Sequence, residues 1–182
     1  MTDKKKNTKL KQILLDLATD DSKKISKAIK ALEANGDSSV VKPLSEKLLS
    51  GVSEKNEKEI LELFCSLKDS SVTAEIMDVI EDEHFRPIRH VMLTTIWNTK
   101  VDFSDYIDEF VQIAVEGDFM ETLECLTIIE NMEGPFMEEN ILEAQLHLKN
   151  YLERPGDANE QKAQLLSEIA LQLKDINRNL QD

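Results

Sequence analysis

A four-residue motif, Asp-Ser-Ser-Val, occurs twice in this chain of 182 residues, at 37–40 and again at 69–72. The similarity extends to both sides of the motif, where apolar residues recur at the same spacing of 32 positions. The recurring pairs are Ala28 and Ile60, Ile29 and Leu61, Leu32 and Phe64, Val40 and Val72, Leu44 and Ile76, and Leu48 and Ile80. A period of this length is typical of stacked structural repeats.

Each copy of the repeat is predicted to be a helix, a short turn and a second helix. The apolar residues on both sides of the motif are three and four positions apart, which is the stripe of an amphipathic helix. Two less regular hairpins follow, one over 93–111 with a turn at 98–102, and one over 123–152 with a break at 133–135. The sequence therefore predicts four successive helical hairpins.

The residues between the predicted helices support these divisions. The pair Asn35-Gly36 suits a left-handed helix end, and Asp37 or Ser38 suits the N-cap of the helix that follows. Asp118 and Glu121 have the spacing of a capping box at the start of the fourth hairpin. Helix boundaries are thus predicted from local chemistry as well as from periodicity.

A single hairpin of this length cannot bury its apolar stripe alone, so neighbouring hairpins must stack. With only five glycines and four prolines, the composition also favours helix over short strands and turns. The predicted fold is an all-α, right-handed α-solenoid of about four antiparallel helix hairpins. Its predicted parts are a basic N-terminal segment with a capping helix (1–21), the repeats (22–152), a linker (153–157) and an amphipathic C-terminal helix (158–182).

The first helix of the third hairpin is predicted over 85–98 and is apolar around much of its circumference. The apolar residues of this segment are Val91, Met92, Leu93, Ile96 and Trp97. A helix of this kind is typical of the middle of a stack, where neighbours cover it on more than one side.

Two segments resemble the halves of a HEAT-like repeat. The segment 36–49, GDSSVVKPLSEKLL, is similar to the second half, with Asp37, Val40, Val41, Pro43, Leu44 and Leu48 at the characteristic places. The segment 85–98, FRPIRHVMLTTIWN, resembles the first half, with Pro87 ahead of Ile88 and Arg89, where such repeats often carry Val-Arg. The resemblance implies a helical-repeat scaffold that binds other macromolecules along a curved face.

The predicted C-terminal helix carries a regular apolar seam. Its members are spaced three and four positions apart and are Leu166, Ile169, Leu173, Ile176 and Leu180. This is the a/d pattern of a coiled coil over about two heptads. The pattern fits a helix that caps the last hairpin, and it also fits a helix that pairs with a partner or with a second copy in a homodimer.

The formal net charge is −14, and it is unevenly distributed. Residues 1–50 hold 11 Lys and Arg against 7 Asp and Glu, whereas residues 51–153 hold 7 against 24. Such an acidic region repels phosphate backbones, so nucleic acid is not expected as a ligand.

In a HEAT-like stack the second helix of each hairpin usually lines the concave side. Here the second helices of the last three hairpins are acidic, whereas that of the first hairpin carries Lys42 and Lys47 with only Glu46. We expect the partner-binding residues to be Glu75, Asp78, Asp82, Asp105, Asp108, Glu109, Glu138, Glu139 and Glu143. A face of this kind would attract a basic segment of a protein partner. The alternative interpretation is that these charges face water and keep the protein soluble.

The sequence contains no motif that indicates catalysis. His84 and His90 are six positions apart, too far around a helix to share a metal ion easily. Bilin lyases and alkylbase DNA glycosylases use helical repeats, but nothing beyond the repeat matches the former, and the acidic charge disfavours the latter. We therefore predict a protein that is not an enzyme, without catalytic residues, metal or cofactor.

The remaining features predict a cytoplasmic protein. No stretch approaches the roughly 20 apolar residues of a membrane span, and the apolar run near the start is too short for a signal peptide. Cys65 and Cys125 have apolar neighbours, which is typical of core thiols in a reducing compartment, although a disulfide between them is an alternative.

The leading hypothesis is a non-enzymatic adaptor that binds a basic protein segment, with Trp97 or Tyr106 as apolar anchors if they are exposed. The alternative is a structural or regulatory subunit that oligomerises through its C-terminal helix.

Overall fold

A computed structural model describes residues 2–35, 38–67, 71–99, 101–153 and 159–181. Within these ranges the chain is all-α, with ten α-helices, three short 3₁₀ segments and no β-strand. The helices are α1 (Thr2–Leu17), α2 (Ser22–Asn35), α3 (Val41–Leu49), α4 (Glu54–Ser66), α5 (Val72–Glu81), α6 (Arg89–Ile96), α7 (Ile107–Glu116), α8 (Phe119–Glu130), α9 (Glu138–Leu152) and α10 (Glu160–Gln181). The predicted all-α class is confirmed, and every predicted helix has a counterpart.

The chain divides into two compact units, residues 1–101 and 102–182. The boundary falls between α6 and α7, inside the segment predicted as the third hairpin. Helices that follow one another closely in the chain account for most of the packing within each unit.

In the first unit, α2 packs against α1 and α4, α4 packs against α6, and α3 packs against α5. The first turn of α2 touches the first turn of α4 through Ser22 and Asn56. At the opposite ends, the Cys65 thiol of α4 lies 3.8 Å from the Thr95 carbonyl oxygen of α6. The helices α2, α4 and α6 therefore run in the same direction, one beside the next.

The residues that recur at a spacing of 32 are buried at equivalent places, with one exception. Ile29 is buried, whereas its counterpart Leu61 is only half-buried. The other recurring residues all belong to the core, namely Ala28, Leu32, Val40, Leu44, Leu48, Ile60, Phe64, Val72, Ile76 and Ile80. The difference arises because the face of α4 that carries Leu61 lines a groove.

A buried polar network joins α2 to α4. The Asn56 side chain accepts hydrogen bonds from Ser22 Oγ (2.7 Å) and Ser53 Oγ (2.9 Å), and its Nδ2 donates to Ser26 Oγ (3.0 Å) and Glu59 Oε2 (3.1 Å). The Ser26 hydroxyl also donates to Glu59 Oε2 (2.6 Å). Because buried polar groups are costly unless they are paired, this network favours one register between the two helices.

Glu59 makes the stability of this network depend on pH. The Ser26 hydroxyl, followed by the Asn56 amide, lowers the pKa of Glu59 below its ordinary value of 4.5. A lowered folded-state pKa gives stability that is present at neutral pH and is lost as the pH falls from about 4.5 through the folded-state value. We expect the urea midpoint to fall less between pH 6 and pH 3 in Glu59→Gln than in the wild type. Equal falls in the two proteins would contradict this role.

The segment that precedes α6 differs from its prediction. Residues Glu83–Ile88 form a 3₁₀ segment that contains Pro87, and the α-helix begins only at Arg89. The buried Arg89 donates from Nε to the Ile80 carbonyl oxygen (2.7 Å), so it secures the end of α5. Trp97 was predicted to lie on a helix that neighbouring helices cover on more than one side. In the structure it follows α6 and is 44% exposed.

The predicted helix ends are confirmed in part. The capping box is present, because Glu121 N donates to Asp118 Oδ1 (2.9 Å) and Asp118 N donates to Glu121 Oε2 (3.1 Å). Ser38 is not an α-helical N-cap, since it begins a short 3₁₀ turn and Val40 is the N-cap residue of α3. Gly36 and Asp37 lie outside the described residues, as do Asp69 of the second motif and residues 154–157 of the predicted linker.

In the second unit, α7 packs against α8 and α9, and α10 packs against all three of these helices. The start of α10 is anchored by Lys162, whose Nζ donates to the carbonyl oxygens of Val115 (2.7 Å) and Gly117 (2.6 Å). Burial lowers the pKa of Lys162, while Asp118 and Glu121 act in the opposite direction. The cation thus lies at the carboxyl end of α7, where a helix dipole favours positive charge.

Candidate functional site

The helices α7 and α9 begin side by side. Asn140 Nδ2, in the first turn of α9, donates to the Asp105 carbonyl oxygen (2.6 Å) just before α7. The backbone N–H of Gly134 donates to Ser104 Oγ (3.1 Å), and the buried Ser104 hydroxyl in turn donates to Asp102 Oδ1 (2.6 Å). These contacts hold the amino-terminal ends of the two helices together.

Six of the nine predicted binding residues lie on these two helices or immediately before them. Asp105, Glu138, Glu139 and Glu143 are exposed, whereas Asp108 and Glu109 are half-buried in the first turn of α7. The structure therefore brings residues about 30 positions apart in sequence into one acidic surface. We call these six residues the α7–α9 acidic surface.

The charge of the chain is concentrated in the unit that carries this surface. Residues 102–182 hold 19 Asp and Glu against five Lys and Arg, while residues 1–101 hold 17 of each. Between 101 and 148 there are 13 acidic residues and no Lys or Arg. Within this stretch the acidic surface has no cation close in sequence to neutralise it.

Part of this negative charge also stabilises α7 and α9 themselves. Carboxylates in the first turn interact favourably with the helix dipole, and Asp108, Glu109, Glu138 and Glu139 all occupy such positions. Asp108 Oδ1 is a buried atom with no hydrogen-bond partner among the described residues. Changes at Asp108 and Glu109 will therefore affect stability, and the four exposed carboxylates are better suited to tests of binding.

The other three predicted residues belong to the first unit. Glu75, Asp78 and Asp82 are spaced three and four positions apart, so they follow one stripe along α5 and its end. Glu75 is half-buried, Asp78 is exposed, and Asp82 Oδ1 accepts a hydrogen bond from His84 N (2.9 Å). Asp82 therefore has a local role as the N-cap of the 3₁₀ segment.

Of the two predicted apolar anchors, only Trp97 is exposed, over 44% of its surface. Tyr106 is half-buried beside Phe103, with 6.4 Å between the ring centroids. Trp97 lies at a groove between α4 and α6, within the first unit, that also holds several acidic residues of α4. This groove was not predicted from the sequence, because its acidic residues lie on α4, the first helix of a predicted hairpin, whereas the predicted acidic face lies on the second helices.

Most of the apolar seam of α10 is buried within the second unit. Leu166, Ile169 and Leu173 are buried, Ile176 is half-buried, and Leu180 is 42% exposed. The first three residues of the seam thus face the core formed with α8 and α9.

The histidines and cysteines are not gathered into a reactive cluster in the part of the chain that the structure describes. His84 Nε2 lies 3.1 Å from Glu46 Oε2 in an exposed pair. In the described ranges, His, Cys, Asp and Glu side chains do not form any group of three that could hold a metal ion. Cys125 is buried and Cys65 half-buried, and both carry thiols; burial raises the pKa of the Cys65 thiol.

Comparison with known proteins does not place the chain in a family. No protein-family model matches it, and no curated protein or solved structure is significantly similar to it. None of the helices in the described part of the chain combines the length and apolar character needed to cross a membrane.

Proposed function

We propose that this chain is a non-enzymatic, HEAT-like helical-repeat scaffold that binds a basic segment of a protein partner. The repeat assignment is supported by the 32-residue period and by the way α2, α4 and α6 lie one beside the next in the same direction. Arg89 adds to this support, because the residue that matches the Arg of the HEAT-like pattern is buried and tethers the preceding helix.

The observation that carries the binding proposal is the α7–α9 acidic surface. Three exposed carboxylates, those of Asp105, Glu138 and Glu139, lie at the paired helix starts, and that of Glu143 lies one turn further along α9, in a stretch without Lys or Arg between 101 and 148. A concentrated negative potential accelerates the association of a basic partner, and it does so most strongly at low ionic strength.

Neutralising the exposed carboxylates tests this proposal at a small cost in stability, because only Glu138 and Glu139 of the four lie in the first turn of an α-helix. The variant carries Asp105→Asn, Glu138→Gln, Glu139→Gln and Glu143→Gln, which keep the shape of each side chain. We expect its affinity for a short lysine-rich peptide to fall at least about tenfold at low salt, since each close charge pair contributes modestly and several act together. Isothermal titration calorimetry at two salt concentrations measures the change.

The matched control removes four exposed carboxylates elsewhere in the same unit. Glu116 and Glu153 lie at the carboxyl ends of α7 and α9, and Glu160 and Glu168 lie on α10. Changing these four to Gln alters the net charge equally. If the control loses as much affinity as the test variant, the peptide responds to net charge and the α7–α9 acidic surface is not the site.

Oligomerisation through α10 is the alternative function. It has less support, because Leu166, Ile169 and Leu173 are buried in their own unit and only the end of the seam is exposed. Light scattering and urea denaturation of Ile169→Ala distinguish the two roles of the seam.

A further inference from the structure

The groove between α4 and α6 is a second surface with the properties of a binding site. Its volume is about 490 Å³, which lies within the range of pockets that hold ligands or side chains of partners. The groove is lined by one stripe of α4 and by the end of α6 with Trp97. All of its lining residues belong to the first unit.

The floor and one wall of the groove are apolar. Leu61 and Cys65 of α4 are half-buried, and Trp97 exposes 44% of its surface. Exposed tryptophan is uncommon on surfaces without a partner and is enriched at binding hot spots. Leu61 is only half-buried because it lies in this groove, whereas its repeat counterpart Ile29 is buried.

The rim of the groove is acidic. Glu54, Glu57 and Glu62 line it from α4, and Lys58 is the one cation among the lining residues. Lys58 Nζ lies 3.7 Å from Glu62 Oε1, so that its charge is offset within the rim. Glu54 and Glu57 remain as net negative charge beside the apolar floor.

From this geometry we infer that the α4–α6 groove docks a peptide segment in which Lys or Arg flanks a large apolar residue. The apolar residue would cover Leu61 and Trp97, and the cation would face the carboxylates or lie over the indole ring, which binds cations through its π electrons. The charge of the rim selects a basic segment over an acidic one. This inference does not rest on the proposed function, because the groove and the α7–α9 acidic surface belong to different units.

Trp97 is the single tryptophan of the chain, so its fluorescence reports directly on the groove. The probe is a short synthetic peptide with one Leu between two Arg residues and without aromatic residues. Titration of the full chain with this peptide should give a saturable change in Trp97 emission that weakens with added salt. The peptide should also slow the alkylation of Cys65, while the buried Cys125 serves as an internal reference.

The variant Glu54→Gln with Glu57→Gln tests the rim, because these two carboxylates carry its net negative charge. We expect it to weaken binding of the peptide by about three- to tenfold at low salt, whereas Glu33→Gln with Glu81→Gln, two exposed carboxylates outside the groove, should change it less than about twofold. A second peptide, with Glu in place of both Arg residues, should not bind measurably.

Three results would overturn the inference. The first is the absence of a saturable Trp97 signal, and the second is an equal response to the Glu-containing peptide. The third is binding that survives in the Glu54 and Glu57 variant but is lost when Asp105, Glu138, Glu139 and Glu143 are neutralised. That third result would support the α7–α9 acidic surface and exclude the groove as the binding site, so the two proposals can fail separately.

Discussion

Replacing Ile169 by alanine is expected to destabilise the second unit by about 2–4 kcal/mol. Ile169 lies in the middle of the α10 seam, is 0% exposed, and belongs to the core formed with α8 and α9. Shortening a fully buried aliphatic side chain removes its transfer free energy and leaves a cavity. Urea denaturation measures the loss, and faster alkylation of the buried Cys125 thiol locates it in the second unit.

The matched control for this change is Leu171→Ala. Leu171 is on the same helix but is 54% exposed, so the same kind of truncation should cost less than about 0.5 kcal/mol. Light scattering on both variants separates the two roles of the seam. If Ile169→Ala halves the molar mass and leaves the stability unchanged, the seam joins two chains and the assignment of α10 as a cap is wrong.

Replacing Asn56 by alanine is expected to cost the first unit about 2–3 kcal/mol. The Asn56 side chain is 0% exposed and pairs with Ser22, Ser26 and Glu59, so its removal leaves buried polar groups without partners. Alanine is the better helix former by up to about 0.7 kcal/mol, which offsets a small part of the loss. Thermal and urea unfolding, followed by circular dichroism, measure the difference.

Lys58→Ala is the control for Asn56, because it lies on the same helix and is largely exposed. Its ion pair with Glu62 spans 3.7 Å at the surface, and such pairs contribute about 0.3–0.5 kcal/mol. A loss in Asn56→Ala no larger than the loss in Lys58→Ala would mean that water satisfies the network equally well. The register between α2 and α4 would then depend on apolar packing alone.

Local features were predicted from the sequence because they depend on residues close together in the chain. The spacing of apolar residues predicted the positions of the helices, and the pair Asp118 and Glu121 predicted a capping box that the structure contains. Of the twelve residues that recur at a spacing of 32, eleven are buried and only Leu61 is half-buried. Apolar residues three and four positions apart lie on one face of any helix. That face can therefore be predicted without knowing which helices pack beside it.

The candidate sites were predicted less completely, since a site depends on which helices are neighbours. The acidic residues of α7 and α9 were identified by charge, but their convergence required the contact between Asn140 and Asp105. The α4–α6 groove was missed, although Glu54, Glu57, Leu61 and Cys65 follow one stripe of α4 that could have indicated it. The sequence did not show that this stripe lies open beside Trp97.

The sequence by itself determined that this protein is all-α, approximately where its helices lie, and that its net negative charge lies after the first hundred residues. Only the tertiary structure decided that the chain forms two compact units, that the α10 seam is buried in one of them, and that Leu61 borders a groove. The physical reason is that periodicity specifies which face of a helix is apolar, whereas the element that covers that face is chosen by the packing of residues distant in the chain.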